Sequence, residues 1–246
     1  MAKGTDGIAV ASDGITYDDK GIVRGITSKI EPLIHLNCLI AQVGAGGLSL
    51  ALRQVMGHKY RSFDEMLLGI ADDLRFATDC MVQWTLFGRT PDSTVAIAGY
   101  SDDRQAFELY RISNWKKKVA GSSEVDEFAA YSLVPVENFW TNVVPRDEYV
   151  DRFRLNADEM QKSPSMLAAR WVAACRPDSR GPDPEKGPPA FGCGGFIELA
   201  SLTHDGFSSQ IVHRWPDEVG KLIDGSLGEL IPEWMLPGAV DEIATC

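Results

Sequence analysis

The sequence has no long hydrophobic run. No apolar stretch reaches the roughly 18 residues that a membrane-spanning helix requires, and no signal-peptide core follows the first residues. We therefore expect a protein that is cytoplasmic and has no membrane partner.

Cysteine and histidine are also scarce. The five cysteines are odd in number and widely spaced, without a Cys-x-x-Cys pair, and the four histidines show no metal-ligand spacing. The glycine cluster at residues 44–47 lacks the Gly-Lys-Ser/Thr of a phosphate-binding loop. We expect no disulfide framework, no metal, no cofactor and a reducing compartment.

Basic residues are in the minority. The chain has 24 basic and 35 acidic residues, a net charge of −11. A negative surface argues against a nucleic acid or an acidic membrane as the main partner. The 246 residues are enough for one sizeable core and do not require two. We therefore expect a single domain over residues 1–246.

The sequence does contain alternating blocks of strand and helix patterns. The first apolar strand covers residues 7–13, and another covers residues 39–43. Later strands are predicted over residues 94–98, 106–112, 196–203 and 208–212. Helices are predicted over residues 47–60, 63–84, 125–131 and 149–175, the last interrupted at residues 163–164, with a short C-terminal helix beginning at Trp215. These blocks predict an α+β fold.

An acid and a lysine stand at the edges of two neighbouring strands. Asp13 closes the first apolar strand, and Lys29 lies just before the next one. An acid at a strand end and a lysine entering the next strand can meet in space. A partly desolvated lysine beside a carboxylate tunes a nucleophile or a proton transfer. The alternative is that Asp13 is a turn residue and Lys29 an ordinary surface lysine.

The order of the motifs around this pair resembles the proteasome β-type family, which includes the simpler bacterial two-component proteasome homologue. The motifs are Asp6-Gly7, the apolar strand ending in Asp13, Ser28-Lys29-Ile30, the glycine cluster at residues 44–47 before a helix, the strand ending in Gly99-Tyr100, and the late hairpin with Asp205-Gly206. The resemblance implies a single four-layer αββα sandwich, the architecture of the N-terminal-nucleophile hydrolases.

The resemblance also implies a set of site residues. Carried over by motif, the lysine is Lys29 and the acid is Asp13, and the family's Gly-Ser turn matches Gly121 and Ser122. The family's late Asp-x-x-Ser-Gly element falls on residues 190–194, where alanine replaces the aspartate and cysteine replaces the serine. This departure affects the groups that would surround the nucleophile's amine.

The position of the nucleophile depends on the alignment register. In the family an N-terminal threonine attacks a carbonyl, and its own free amine accepts the proton. Without gaps, the threonine position falls before Met1, and in this register we expect no catalytic threonine. In a rival register, Gly4-Thr5 is a processing junction, Thr5 is the nucleophile, and Asp18 or Asp19 replaces Asp13 as the acid. We favour the ungapped register.

Two functions follow from the resemblance. The first is a proteasome-like subunit that keeps the fold and has lost the nucleophile, and the second is an active threonine-type peptidase or amidohydrolase with Thr5 as its processed N-terminal nucleophile. In both cases we expect self-association into a ring, with Trp84 and Phe87 as candidate contacts. An active form would cleave peptides or proteins. The sequence names no unfoldase partner.

Overall fold

The chain folds as a mixed α+β protein. The computed structural model describes residues 1–84, 92–115, 129–179, 192–228, 231–232 and 235–236. The strands in these ranges are β1 (Ala2–Lys3), β2 (Gly7–Asp13), β3 (Ile15–Tyr17), β4 (Val23–Ile26), β5 (Ile30–Leu33), β6 (Cys38–Val43), β7 (Thr94–Ser101), β8 (Ala106–Ser113), β9 (Val134–Val136), β10 (Phe196–Thr203) and β11 (Gly206–Arg214). The α-helices are α1 (Leu48–Met56), α2 (Phe63–Trp84), α3 (Asp147–Arg152), α4 (Ala157–Lys162) and α5 (Pro164–Ala174). No helix in the described ranges is long and apolar enough to cross a membrane.

The strands form two large antiparallel sheets and one small one. The first large sheet has the order β1-β2-β10-β11, and the second has the order β5-β6-β7-β8-β9. The small sheet is the pair β3-β4. Strand β2 pairs with β10 along its whole length, from Gly7 opposite Thr203 to Asp13 opposite Ile197. Segments that are distant in the sequence therefore meet beside Asp13.

Both faces of the second sheet are buried. In β7, Val95 and Ile97 belong to one apolar cluster, whereas Ala96 and Ala98 belong to another, because successive strand residues point to opposite faces. The first cluster is completed by α1 and α2. The second contains residues of both large sheets, among them Ile8, Val10, Leu39, Leu109, Ala200 and Leu202. The two large sheets therefore pack against each other.

A third apolar cluster lies between α5 and the first large sheet. It includes Met166 and Ala169 of α5, Ile197 of β10, and Trp215 beyond β11. Pro164 occupies the first turn of α5, where its missing N–H leaves no helical hydrogen bond unmade. Pro164 therefore explains the break between α4 and α5. The break between α3 and α4 lies earlier, at Arg154, whose φ of 49° is outside the right-handed helical region.

Local sequence signals account well for the start of α2. The helix runs from Phe63 to Trp84, as predicted, and the Ser62 hydroxyl accepts the N–H of Glu65 at 3.1 Å. Asp64 and Glu65 lie in the first turn, where the helix dipole favours negative charge.

The glycine cluster before α1 is required by the backbone. Gly44 and Gly47 have φ angles of 108° and 87°, which other residues rarely adopt. A Cβ at Gly44 would also overlap the carbonyl oxygen of Asp92.

Two predicted helices differ from the structure. The C-terminal helix at Trp215 is wrong: residues 215–218 are not helical, and the Asp217 carboxylate binds a buried arginine. Residues 125–128 lie outside the described ranges, and residues 129–131 form no helix. Tyr131 has a φ of 61° there, which is incompatible with a right-handed helix.

That arginine is Arg176, which follows α5 and is fully buried. Its guanidinium donates to both carboxylate oxygens of Asp217 at 2.9 Å and to the carbonyl oxygens of Cys193 and Asp224 at 3.0 and 2.8 Å. The Asp217 carboxylate also accepts the N–H of Gly195 at 2.7 Å. This network holds the segment before β10 against the segment after β11.

We predict that Arg176→Ala lowers the free energy of unfolding by about 3–5 kcal/mol, because it leaves the buried Asp217 carboxylate without its charge partner. Urea denaturation monitored by tryptophan fluorescence measures the change. The matched control is Arg75→Ala, whose ion pair with Asp72 is exposed, and it should cost less than about 1 kcal/mol. Equal, small effects of both variants would contradict the role assigned to the network.

Candidate functional site

Asp13 and Lys29 form an ion pair where the two large sheets meet. Asp13 is the last residue of β2, and Lys29 is the residue before β5. Lys29 Nζ lies 2.7 Å from Asp13 Oδ1, and the two side chains are only 17% and 13% exposed. Asp13 and Lys29 therefore meet, as the sequence suggested, and Lys29 is not an ordinary surface lysine.

The backbone fixes the second oxygen of the Asp13 carboxylate. Asp13 Oδ2 accepts the N–H groups of Ile15 and Gly194, each at 3.2 Å. Gly194 has to be a glycine, since a Cβ there would lie 2.8 Å from Asp217 Oδ2 and 2.9 Å from Arg176. The Arg176–Asp217 network thus positions one of the donors that orient Asp13.

The residue before the lysine is tied to the first large sheet. The Ser28 hydroxyl donates to Glu198 Oε2 at 2.5 Å, and the Ser209 hydroxyl donates to Glu198 Oε1 at 2.7 Å. Glu198 belongs to β10 and Ser209 to β11. These bonds connect the loop that carries Lys29 to the two strands beyond β2.

Two cysteines and a tyrosine surround the ion pair. The side chains of Cys175 and Cys193 are hydrogen-bonded, and this contact, together with burial and the Asp13 carboxylate, raises the pKa of the Cys193 thiol well above its usual value. Burial and the same carboxylate raise the pKa of Tyr17. Both groups therefore stay protonated near neutral pH, so they are hydrogen-bond donors and poor nucleophiles.

A cavity of about 910 Å³ opens beside these groups. Its polar wall includes Asp13, Lys29 and Tyr17, and its apolar wall includes Phe139, Trp140 and Trp171. The volume lies in the upper part of the range of small-molecule sites. Among the described residues, no group of three or more His, Cys, Asp or Glu side chains is arranged to hold a metal ion.

The structure does not bring Thr5 to the ion pair. Thr5 is exposed in the turn between β1 and β2, whereas Asp13 lies at the other end of β2. From Gly7 to Asp13 the strand advances six residues at roughly 3.3 Å each, so the two ends of β2 lie about 20 Å apart. Asp18, the alternative acid of the rival register, bonds to Arg24 at 2.5 Å.

Two further sequence predictions fall on or near the undescribed ranges. Ser122 and its Gly-Ser turn lie outside the described residues, as does Ala190. Cys193 and Gly194, from the same late element as Ala190, do lie beside Asp13. The thiol of Cys193 therefore lies beside the ion pair.

Sequence reasoning missed Tyr17, Glu198 and Cys175 as members of this site. Tyr17 follows Asp13 closely in an alternating apolar pattern and carries no motif of its own. Glu198 reaches the site through its hydrogen bond with Ser28, 170 positions away, and Cys175 reaches it through its contact with Cys193 and the packing of the cavity wall. No local sequence pattern reports such contacts.

A scan against protein-family models finds no match to this chain, and a comparison with curated proteins finds no significant relative.

We predict that Cys193 in the native protein is alkylated by iodoacetamide at pH 8 at least about tenfold more slowly than Cys80, which is partly exposed on α2. The reason is that each unit by which the thiol pKa rises above the working pH lowers the thiolate fraction about tenfold. Peptide mass mapping of timed samples measures both rates. In urea the two rates should converge. Equal rates in the native protein would contradict the environment described for Cys193.

Proposed function

We propose that the chain is a proteasome-like subunit of the N-terminal-nucleophile hydrolase class that keeps the lysine and acid of the site and does not hydrolyse peptides. The observation that carries this proposal is the Lys29–Asp13 contact of 2.7 Å beside a large cavity, with Thr5 at the far end of β2.

The arrangement of the apolar clusters supports the proposed architecture. One cluster joins α1 and α2 to the second sheet, one joins the two large sheets, and one joins the first sheet to α5. We take this order of helix, sheet, sheet and helix as the four-layer αββα sandwich that the motif order implies.

The groups around the ion pair supply no activated nucleophile among the described residues. The Ser28 hydroxyl donates to Glu198, and the Ser12 hydroxyl donates to the carbonyl oxygen of Asp13 at 2.9 Å. The Cys193 thiol has a raised pKa. Within the described residues, Lys29 bonds to the Asp13 carboxylate. It therefore stabilises the junction of the two sheets and has no hydroxyl to activate.

The alternative function, with Thr5 as the nucleophile, conflicts with the packing of β1. Cleavage after Gly4 would remove Ala2 and Lys3, which pair with Ala9 and Ile8 of β2. It would also remove the hydrogen bond from the Lys3 N–H to the Asn138 carbonyl oxygen and the two hydrogen bonds between Met1 and Trp140. The new terminus would still begin about 20 Å from Asp13, by the strand rise used above.

Self-association into a ring is part of the proposal. Leu68 and Phe76 of α2 are 88% and 59% exposed, and their separation of eight residues places them on one side of the helix. Large exposed apolar side chains on one helix face are typical of a surface that a partner covers. Phe87 and the side chain of Trp84 lie outside the described part of the chain.

We predict that the purified protein hydrolyses no model peptide and that Thr5→Ala changes neither this result nor the stability. Lys29→Ala should lower the free energy of unfolding by about 1–3 kcal/mol, because Asp13 loses its charged partner. The exposed Lys20 provides the control, since Lys20→Ala should leave stability unchanged. Peptide hydrolysis that disappears in Thr5→Ala, from a chain whose intact mass begins at Thr5, would overturn the proposal.

We also predict a multimer by light scattering at micromolar concentration. Leu68→Glu should shift it towards smaller species, because a charge would be buried in the contact. Val144→Glu is the control, at an exposed apolar residue that lies off α2. A wild-type monomer would contradict the proposed ring.

A further inference from the structure

Two histidines from different parts of the chain lie side by side at the surface. His35 belongs to the single-turn 3₁₀ helix Ile34–Leu36 between β5 and β6, and His58 follows the end of α1 by two residues. The centroids of the two imidazole rings are 5.7 Å apart, and the ring planes are inclined by 60°. Both residues are exposed. They stand 23 positions apart in the chain, so no short motif signals the pair.

Packing and backbone hydrogen bonds hold the two histidines in place. The Asn37 N–H donates to the carbonyl oxygen of Ile34 at 3.1 Å, and the Lys59 N–H donates to that of Met56 at 2.7 Å, so both turns are closed. Each histidine also has a buried residue within two positions on either side, and these four residues belong to the apolar cluster that α1 and α2 complete: Leu33, Leu36, Met56 and Tyr60. Anchored segments therefore present the two imidazoles.

The ring separation fits two ligands of one metal ion. A Zn²⁺ ion lies about 2.0–2.1 Å from a ligating imidazole nitrogen, and therefore about 3.2 Å from the centroid of that ring. Two rings on one ion have centroids about 5.2 Å apart at a tetrahedral angle and about 6.4 Å apart when they are opposite each other. The observed 5.7 Å lies between these values. Rotation of the exposed side chains closes the remaining distance of about half an ångström.

The ring nitrogens and the local charge leave room for a cation. Within the described part of the chain, the two imidazoles contact each other, and no hydrogen bond engages their nitrogens. The basic residues nearest to His58 along the chain are both paired with carboxylates. Arg53 bonds to Glu31 at 3.0 Å, and Lys59 bonds to Asp73. The net charge of −11 further favours the approach of a cation.

We propose that His35 and His58 bind one divalent transition-metal ion between them, with water in its remaining positions. Imidazole nitrogen is a preferred ligand of Zn²⁺, Ni²⁺ and Cu²⁺, whereas Mg²⁺ and Ca²⁺ prefer oxygen. With two protein ligands, the site is weaker than the closed four-ligand sites of structural zinc, and its ion exchanges with the solvent. Neither histidine lines the cavity beside the Lys29–Asp13 pair, so the proposal is independent of the proposed function.

Chelation by the pair differs measurably from binding to separate histidines. A chelate takes one ion per chain and loses most of its affinity when either ring is removed, because the second ligand acts at a high effective concentration. Separate histidines would each bind an ion weakly. Removal of one ring would then lower the number of bound ions and leave the affinity of the others unchanged. Stoichiometry and affinity together therefore distinguish the two cases.

The test is a calorimetric titration of the full chain, without an added histidine tag, with Ni²⁺. The wild type should bind one ion per chain, and His35→Gln and His58→Gln should each weaken binding at least about tenfold. The matched control is His204→Gln, at an exposed histidine that packs on Tyr100 and Phe107, and it should change the affinity less than about twofold. No binding by the wild type at about 1 mM Ni²⁺, or equal effects of all three variants, would overturn the proposal.

Thermal unfolding provides a second measurement on the same proteins. Ni²⁺ should raise the Tm of the wild type by several degrees, because the ion binds the folded pair, and Mg²⁺ should leave the Tm unchanged. Without metal, His35→Gln and His58→Gln should unfold at the wild-type temperature, since both side chains are exposed. An equal rise with Ni²⁺ in the double variant, which lacks both rings, would contradict the assignment of the site.

Discussion

The ion pair between Lys29 and Asp13 is the contact on which the site depends. Asp13 belongs to the first large sheet and Lys29 leads into the second, so a contact of 2.7 Å joins the two sheets at the edge of the cavity. The N–H of Gly194 brings the segment before β10 to the same carboxylate. Since both side chains are largely shielded from water, salt screens this pair less than it screens a surface pair.

The end of strand β2 brings the ion pair to the cavity. Asp13, the last residue of β2, lines the cavity together with Lys29. The aromatic wall of Phe139, Trp140 and Trp171 closes that space from the other side. A lysine and a carboxylate therefore share one cavity with an aromatic wall. Hydrolysis there would also need a nucleophile that the described residues do not place beside them.

The sequence predicted those helices and strands that have a clear apolar pattern and a recognisable start or end. The bounds of α2 follow from its apolar period and the Ser62 cap, and those of β10 follow from an apolar run bounded by glycines. Motif order predicted the approach of Asp13 and Lys29. The contact of Arg176 with Asp217 could not be predicted, because it joins residues 41 positions apart that carry no shared pattern. Where the C-terminal helix was expected, residues 215–218 are not helical, and Asp217 bonds to Arg176.

The most direct test of the account is a double-mutant cycle between Asp13 and Lys29, with unfolding free energy and peptide hydrolysis measured on the same four proteins. Asp13→Asn, Lys29→Met and the double variant remove the charges and keep much of the side-chain volume. The account predicts a coupling energy of about 1–3 kcal/mol and no hydrolysis by any of the four. A coupling near zero, or hydrolysis by the wild type that both single variants abolish, would contradict it.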